Sequence, residues 1–278
     1  MFKKITIFSY IFIIPFSFFG EPSYLWVKKS HSIEKVKNIR IPEDFKRTIA
    51  KEGTYESWLR NLPLHEKGKK VRLFNNKQKN NQNAHYRVMD IDTGNKDLQQ
   101  CADAIIRLVS EYYFSVKHYD KIKFNFTSGQ PAKFKKWAEG YRPIVKGRKT
   151  VWRKIEEKDY SYENFREYLE TVFYYAGTYS LEKELVKIKN TSKIEIGDVF
   201  IQGGFPGHAV FVIDKAYNKN TKETIVLLAQ SFMPAQEIHI LKNFEEKKIS
   251  PWYTVKKEGK LITPEWIFNW SDLRRFLN

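Results

Sequence analysis

Apolar residues recur with two periods along this chain, and the change from one to the other falls near residue 185. Before it, the spacing is mostly helical. Thr54 precedes Tyr55, Trp58, Leu59 and Leu62, a capped amphipathic turn that Pro63 ends. Asp97, with Gln100 three residues on, opens a stripe of Leu98, Cys101, Ile105, Leu108 and Tyr112, which predicts a helix running to Phe114. A short helix is expected over residues 132–138. Ser161 caps a longer one with Phe165, Leu169, Val172, Phe173 and Ala176 inward, stopped at Gly177, and Ser180 caps a further short one into Leu185. Strand-like pieces interrupt these helices at residues 71–74, 86–91, 121–126 and 151–152. The polar run from Asn75 to Asn83 is a loop between the first two.

After residue 185 the pattern turns to strands. Val199 to Gln202, His208 to Asp214, Thr224 to Gln230 and Glu237 to Leu241 are apolar and β-branched. The tail adds strand-like residues 252–255, 261–262 and 265–268, and Ser271 caps a last helical turn over 272–276. Helices first and a meander afterwards predict an α+β fold with an antiparallel sheet. The central hairpin has a testable register. If Asp214 faces Thr224, His208 lies directly opposite Gln230, and both project to the face that carries Val210, Val212, Val226 and Leu228. A slip of two residues would bring Leu228 or Phe232 opposite His208 instead.

Composition narrows the setting. The 278 residues can bury a sizeable core, and the pattern predicts one domain over residues 40–277 behind a polar lead-in at 21–39. Residues 1–20 read as an export signal: Lys3 and Lys4 start it, and the apolar run from Ile5 to Phe19 is too short for a membrane span. Phe18 stands where cleavage favours a small residue, so a retained signal stays open. No cysteine follows, which excludes a lipoprotein anchor. The expected location is the periplasm or the cell exterior, with no span once the signal is gone. The net charge of +17 favours an anionic cell-envelope polymer or a peptide as partner. No arginine-rich block or nucleic-acid motif is present, which argues against nucleic acid.

The chain has one cysteine, so no internal disulfide can brace it. Cys101 falls near the start of its helix, where free N–H groups and the helix dipole lower a thiol's pKa. Its place on the apolar stripe gives a rival reading as a core residue. His208 begins a strand after the glycine-rich loop Gly203-Gly-Phe-Pro-Gly207. On the expected register Gln230 fixes its ring, with Ser231 and His239 as rival partners. The six histidines show no metal-ligand spacing, and Gly203-Gly204 precedes a strand, not a helix, so neither a metal site nor a phosphate cradle is expected. No cofactor is expected. Trp137, Tyr141 and Arg142 make a candidate wall for a sugar or peptide, with packing as the alternative.

Gln100-Cys101 at a helix start, Gly197-Asp-Val-Phe and Gly207-His-Ala-Val-Phe-Val, in that order, resemble motifs of the papain-like cell-wall hydrolases of the cysteine, histidine-dependent amidohydrolase/peptidase type. More closely, the chain resembles an uncharacterised bacterial family catalogued as domain of unknown function 4846. The motifs that carry this include Trp58-Leu-Arg-Asn-Leu-Pro-Leu64, Gln99-Gln-Cys-Ala-Asp-Ala104, Trp137-Ala-Glu-Gly-Tyr-Arg142 and Leu228-Ala-Gln-Ser-Phe-Met-Pro-Ala235. The hydrolase resemblance implies a papain-like fold, with N-terminal helices packed on an antiparallel β-sheet. It also implies an amidase or peptidase with Cys101 as nucleophile, His208 as base and then acid, and Gln230 as orienting residue. Gln230 departs from the His, Asn or Glu more usual at that place. The N–H of Cys101 and the side chain of Asn95 are the implied oxyanion donors. Two other readings stay open: a non-catalytic envelope binding or structural protein, and an acyltransferase or lipid hydrolase using the same residues.

Overall fold

The structure is a computed structural model that describes residues 24–27 and 34–277. The expected export signal and part of the lead-in lie outside the described residues. In chain order, β1 (Lys46–Arg47), α1 (Tyr55–Arg60) and β2 (His85–Val88) precede α2 (Cys101–Ser115). Two hairpins follow, β3 (Lys123–Asn125) with β4 (Pro131–Lys133), and β5 (Tyr141–Lys146) with β6 (Lys149–Lys154); α3 (Phe134–Ala138) lies between them. Next come α4 (Tyr162–Tyr175) and α5 (Thr178–Glu184). The remainder is strand: β7 (Val186–Lys187), β8 (Val199–Gln202), β9 (His208–Tyr217), β10 (Thr224–Gln230), β11 (His239–Leu241), β12 (Trp252–Thr254), the hairpin β13 (Lys260–Ile262) and β14 (Ile267–Asn269), and β15 (Leu273–Arg275).

Nine strands make one antiparallel sheet in the order β2-β11-β10-β9-β8-β15-β7, with β1 also on β9 and β12 also on β10. The chain is therefore mostly antiparallel β. The expected papain-like layering of helices on a sheet is not what it adopts. α1 and α2 touch β9 and α5 touches β8, but the second long helix, α4, packs on α3. The reason lies at the sheet's margins. β1 and β7 are two residues each, and such pieces carry no readable period of two. The tail is a second correction. Residues 273–275 form β15 against β8 where a helical turn was expected, and only Trp270–Asp272 coil, as a single 3-10 turn. Residues 71–74 make isolated bridges, not a strand.

The core divides at β9. Ala209, Phe211 and Ile213 face a large cluster that includes Ile105 and Leu108 of α2. Val210 and Val212 face a second cluster with Phe200, Val226, Leu228, Phe268 and Trp270. Strict alternation puts these residues on opposite faces, and both faces are covered, which is why β9 is apolar almost throughout.

Local signals hold where they are strong. Thr54 caps α1 by accepting the Ser57 N–H, and Ser161 caps α4 by accepting the Asn164 N–H. α2 begins later than its capping pattern predicts. Tight turns at residues 96–100, with Leu98 N–H donating to Lys96 C=O at 2.8 Å and Gln100 N–H to Leu98 C=O at 2.7 Å, keep Asp97 out of the helix. Gln100 becomes the cap, Asp103 accepts its N–H at 3.1 Å, and Cys101 is the first helical residue.

Candidate functional site

Cys101 is 5% exposed, and three backbone N–H groups converge on its sulfur: its own, that of Ala102, and that of Ala209 on β9. These groups favour a thiolate, as the sequence suggests. Burial outweighs them, Asp103 adds to it, and together they push the thiol up to about 12. The expected lowering is thus reversed, because desolvation at this depth exceeds what a helix start supplies.

His208 opens β9 and is completely buried. Its ring lies among Phe232, Trp266 and Phe268, with centroids 4.6, 5.3 and 5.8 Å away. Its Nε2–H donates to Gln230 Oε1 at 2.8 Å. The pair does not meet as the assumed register has it. β10 sets Leu227 against Asp214, slips by one residue at a bulge, and sets Ala229 against Phe211, so Gln230 reaches His208 diagonally. The ring of Phe232 lies against His208, as the slipped register would have it.

A further acid settles the orientation of the Gln230 amide. Its Nε2 donates to Glu265 Oε2 at 2.8 Å, so its Oε1 must be the atom turned to His208. Lys79 bonds the same Glu265 oxygen. His239 completes the set: its Nδ1–H donates to Glu237 C=O at 2.9 Å, leaving its Nε2 to accept from Gln230 Nε2 at 3.4 Å. His208 is accordingly an Nε2–H tautomer. Its Nδ1, a buried acceptor, has no hydrogen-bond partner. Burial is the main cause that holds His208 down at about 4 and His239 well below the ordinary histidine value, with the Lys79 charge adding in both. Burial also lowers Lys79, against its bond to Glu265.

Sequence reasoning reached Cys101, His208, Gln230 and His239 but missed Lys79 and Glu265. Lys79 lies in a run read as a loop, and Glu265 in a piece read as a strand. The signal that could have raised them is the rule that a buried amide needs partners on both its atoms. Ser231 does not orient His208; its hydroxyl bonds Gln236 C=O at 2.8 Å and Gln99 C=O at 3.1 Å, tying the end of β10 to the approach to Cys101.

A cavity of about 280 Å³ opens at the thiol, walled by Asp97, Asp103, Thr178, Phe205 and Gly207 among others. Gly207 leaves no room for a side chain: a Cβ there would lie 2.4 Å from Thr178 Oγ1 and 2.7 Å from Gly204 O. Asn95 is exposed and stands outside this cavity, while Gln100 lines it. Trp137, Tyr141 and Arg142 also stand outside it. The Arg142 guanidinium lies 4.0 Å over the Trp137 ring, and both side chains donate to Asn164 Oδ1, a packing cluster. Among the described residues no group of three or more His, Cys, Asp or Glu could hold a metal ion, and no helix is long and apolar enough to cross a membrane.

What the sheet and this site define is a mostly antiparallel β domain with a lone thiol set beside a strand that begins on a buried, amide-locked imidazole. Residues 36–275 match the family described as Domain of unknown function (4846), and the chain belongs to that family. No curated protein and no solved structure matches it, and nothing beyond the short motifs ties it to the papain-like hydrolases.

Proposed function

We propose that this chain is an exported cysteine hydrolase of amide bonds, with cell-wall peptides as the candidate substrate. Cys101 is the nucleophile, His208 the base and then the acid, and Gln230 the positioning residue. The observation that carries the reading is the open Nδ1 of His208, buried and held in the acceptor state, one residue from the N–H that touches the thiol. Buried acceptors are normally satisfied, and this one is left open one residue along β9 from the thiol's contact, although the side chains of His208 and Ala209 leave the strand on opposite faces and His208 does not line the cavity at Cys101.

In the reaction, which requires the His208 ring to swing to the thiol's side of β9, the Cys101 proton passes to His208 Nδ1 as sulfur attacks the amide carbon. The C–N bond breaks as the imidazolium returns that proton to the departing amine. Water, deprotonated by the same nitrogen, then cleaves the thioester and regenerates the thiol. The pKa values of about 12 and about 4 each describe one group charged alone. Once the two groups meet, a proton moved between them leaves a thiolate–imidazolium ion pair of zero net charge, whose mutual attraction offsets the two desolvation costs. The resting protein is therefore a neutral thiol and a neutral imidazole. The N–H groups of Cys101 and Ala102 at the helix start are suited to a developing oxyanion.

One observation favours a second reading, a non-catalytic envelope binding protein: the thiol is 5% exposed and pushed upward, as a core cysteine would be. Iodoacetamide alkylation of the native protein at pH 7.5 separates the two. Wild type is expected to react at least about tenfold faster than His208→Ala, since the imidazole removes the thiol proton. Equal rates, or an inert thiol in both, would overturn the hydrolase reading.

A further inference from the structure

The cavity at Cys101 adjoins a larger one of about 940 Å³, and the two share Thr127, Tyr179, Gly204 and Phe205 as a common wall. Phe205 is 90% exposed at this divide. The charge of the two chambers is opposite. The chamber of Cys101 is lined by Asp97 and Asp103 and, among the described residues, by no lysine, arginine or histidine. The second chamber is lined by Arg148 and Lys183 and, among the described residues, by no aspartate or glutamate. On a chain of net charge +17, two carboxylates with no base in the chamber of the nucleophile run against the composition.

Asp103 is the sharper of the two acids. It is 6% exposed, and its Oδ2 accepts the Gln100 N–H at 3.1 Å. Its Oδ1 is buried with no hydrogen-bond partner. A carboxylate raises the cost of forming a thiolate nearby, so this one works against the nucleophile unless something positive enters with the substrate. In the second chamber, Lys183 donates to the Tyr179 hydroxyl at 2.6 Å and stands 3.8 Å over its ring, which holds the ammonium at the dividing wall.

We propose that the double chamber selects a small zwitterionic peptide, its free ammonium group received by Asp103 beside Cys101 and its carboxylate by Arg148 and Lys183 beyond Phe205. The proposal rests on Cys101 as the nucleophile for its meaning in catalysis, but the binding it describes does not require the chemistry. Burial holds the Asp103 carboxyl well above its usual range while the chamber is empty. An ammonium supplies the counter-charge that none of the chamber's side chains provides, and the pair forms out of bulk water where it is strongest.

The test is calorimetric binding to the full chain carrying Cys101→Ser, which cannot turn over. Tri-alanine, N-acetyl-tri-alanine and tri-alanine amide are the probes. Tri-alanine is expected to bind at least about tenfold more tightly than either capped form. Asp103→Asn keeps an oxygen for the Gln100 N–H, so the helix start survives, and it should abolish discrimination against the N-acetyl form alone. Arg148→Gln with Lys183→Gln should abolish discrimination against the amide alone. Equal affinity for all three peptides, discrimination that survives both sets of substitutions, or no binding by any peptide overturns the proposal. If tri-alanine binds as expected while the wild-type thiol proves inert, the hydrolase reading falls and the selective chamber stands.

Discussion

β9 carries two fully buried polar residues on one strand, His208 at its start and Asp214 six residues on, and they are treated differently. Asp214 is closed on every side. Its Oδ1 accepts from Arg60 Nε at 2.7 Å and from the Lys215 N–H at 2.9 Å, and its Oδ2 accepts from Arg47 Nε at 2.6 Å. His208 is closed on one nitrogen and open on the other. A buried charge that serves only the fold is surrounded until nothing remains to bond. On the hydrolase reading proposed above, a group that moves protons must leave one position free and hold the rest of itself still. The Asp214 end ties the N-terminal segment, through β1 and α1, to the sheet. The His208 end faces inward to a network that ends on Glu265 and Lys79.

The comparison can be broken at either end. Asp214→Ala strands two arginines and should cost about 3–5 kcal/mol in urea unfolding. A loss under about 1 kcal/mol would show that the closed end is not structural. Acid probes the other end. The His208 pKa is about 4 in the fold against about 6.5 unfolded, so between these values the unfolded chain binds more protons and stability falls as pH falls. Wild type should lose roughly 3 kcal/mol more than His208→Gln between pH 7 and pH 4. Matching losses would mean that the imidazole is not held neutral. His239, shifted in the same direction, contributes to both proteins equally.

Gln230→Ala removes the lock and leaves His208 Nε2 without its acceptor and one Glu265 oxygen with Lys79 alone. A loss of about 1–3 kcal/mol is expected by the same unfolding measurement, with the His208 ring nitrogens changing tautomer in 15N spectra. An unchanged tautomer would show that something other than Gln230 sets it. The smallest effect belongs to Ser231→Ala, about 1 kcal/mol, since its hydroxyl joins strand end to helix approach without touching the imidazole. A loss of thiol reactivity out of proportion to that figure would place Ser231 in the site after all.

The parts of this fold that a sequence can show are those whose period runs long enough to be seen. α2 was legible because fifteen residues hold one pattern, and β9 over its first seven residues, while its last three, Lys215–Tyr217, lie beyond the strand expected at His208 to Asp214. β1 and β7 were not, because two residues have no pattern, and β15 was hidden behind a serine that looked like a cap. The site was legible in part for a specific reason. The assumed pairing of Asp214 with Thr224 is three residues off, because β9 runs on to Tyr217, and the bulge between Leu227 and Leu228 takes back one of the three. The assumed and the actual register nevertheless put His208 and Gln230 on the same face, and the pairing survived the error. Glu265 joins from a piece 35 residues further along whose pairing partner is β13, and no local pattern points it at Gln230. Asn95 was chosen by distance along the chain, and it is exposed and outside the cavity at Cys101.

Gly207 bears on how this cleft could vary. With Thr178 Oγ1, Gly204 O and Gln202 O so near the place of an absent Cβ, the clearance at the mouth of β9 is set by one α5 side chain and by the main chain that precedes the strand. Thr178 is therefore the lining residue whose exchange would make room here, whereas the two carbonyls stay whatever residues carry them. Any residue larger than glycine at 207 would meet the Gly204 and Gln202 carbonyls as well as the Thr178 hydroxyl, so the loop before β9 would have to shift. Changes of preference in this cleft are left to its charged walls, while its aperture is set by the loop backbone together with Thr178.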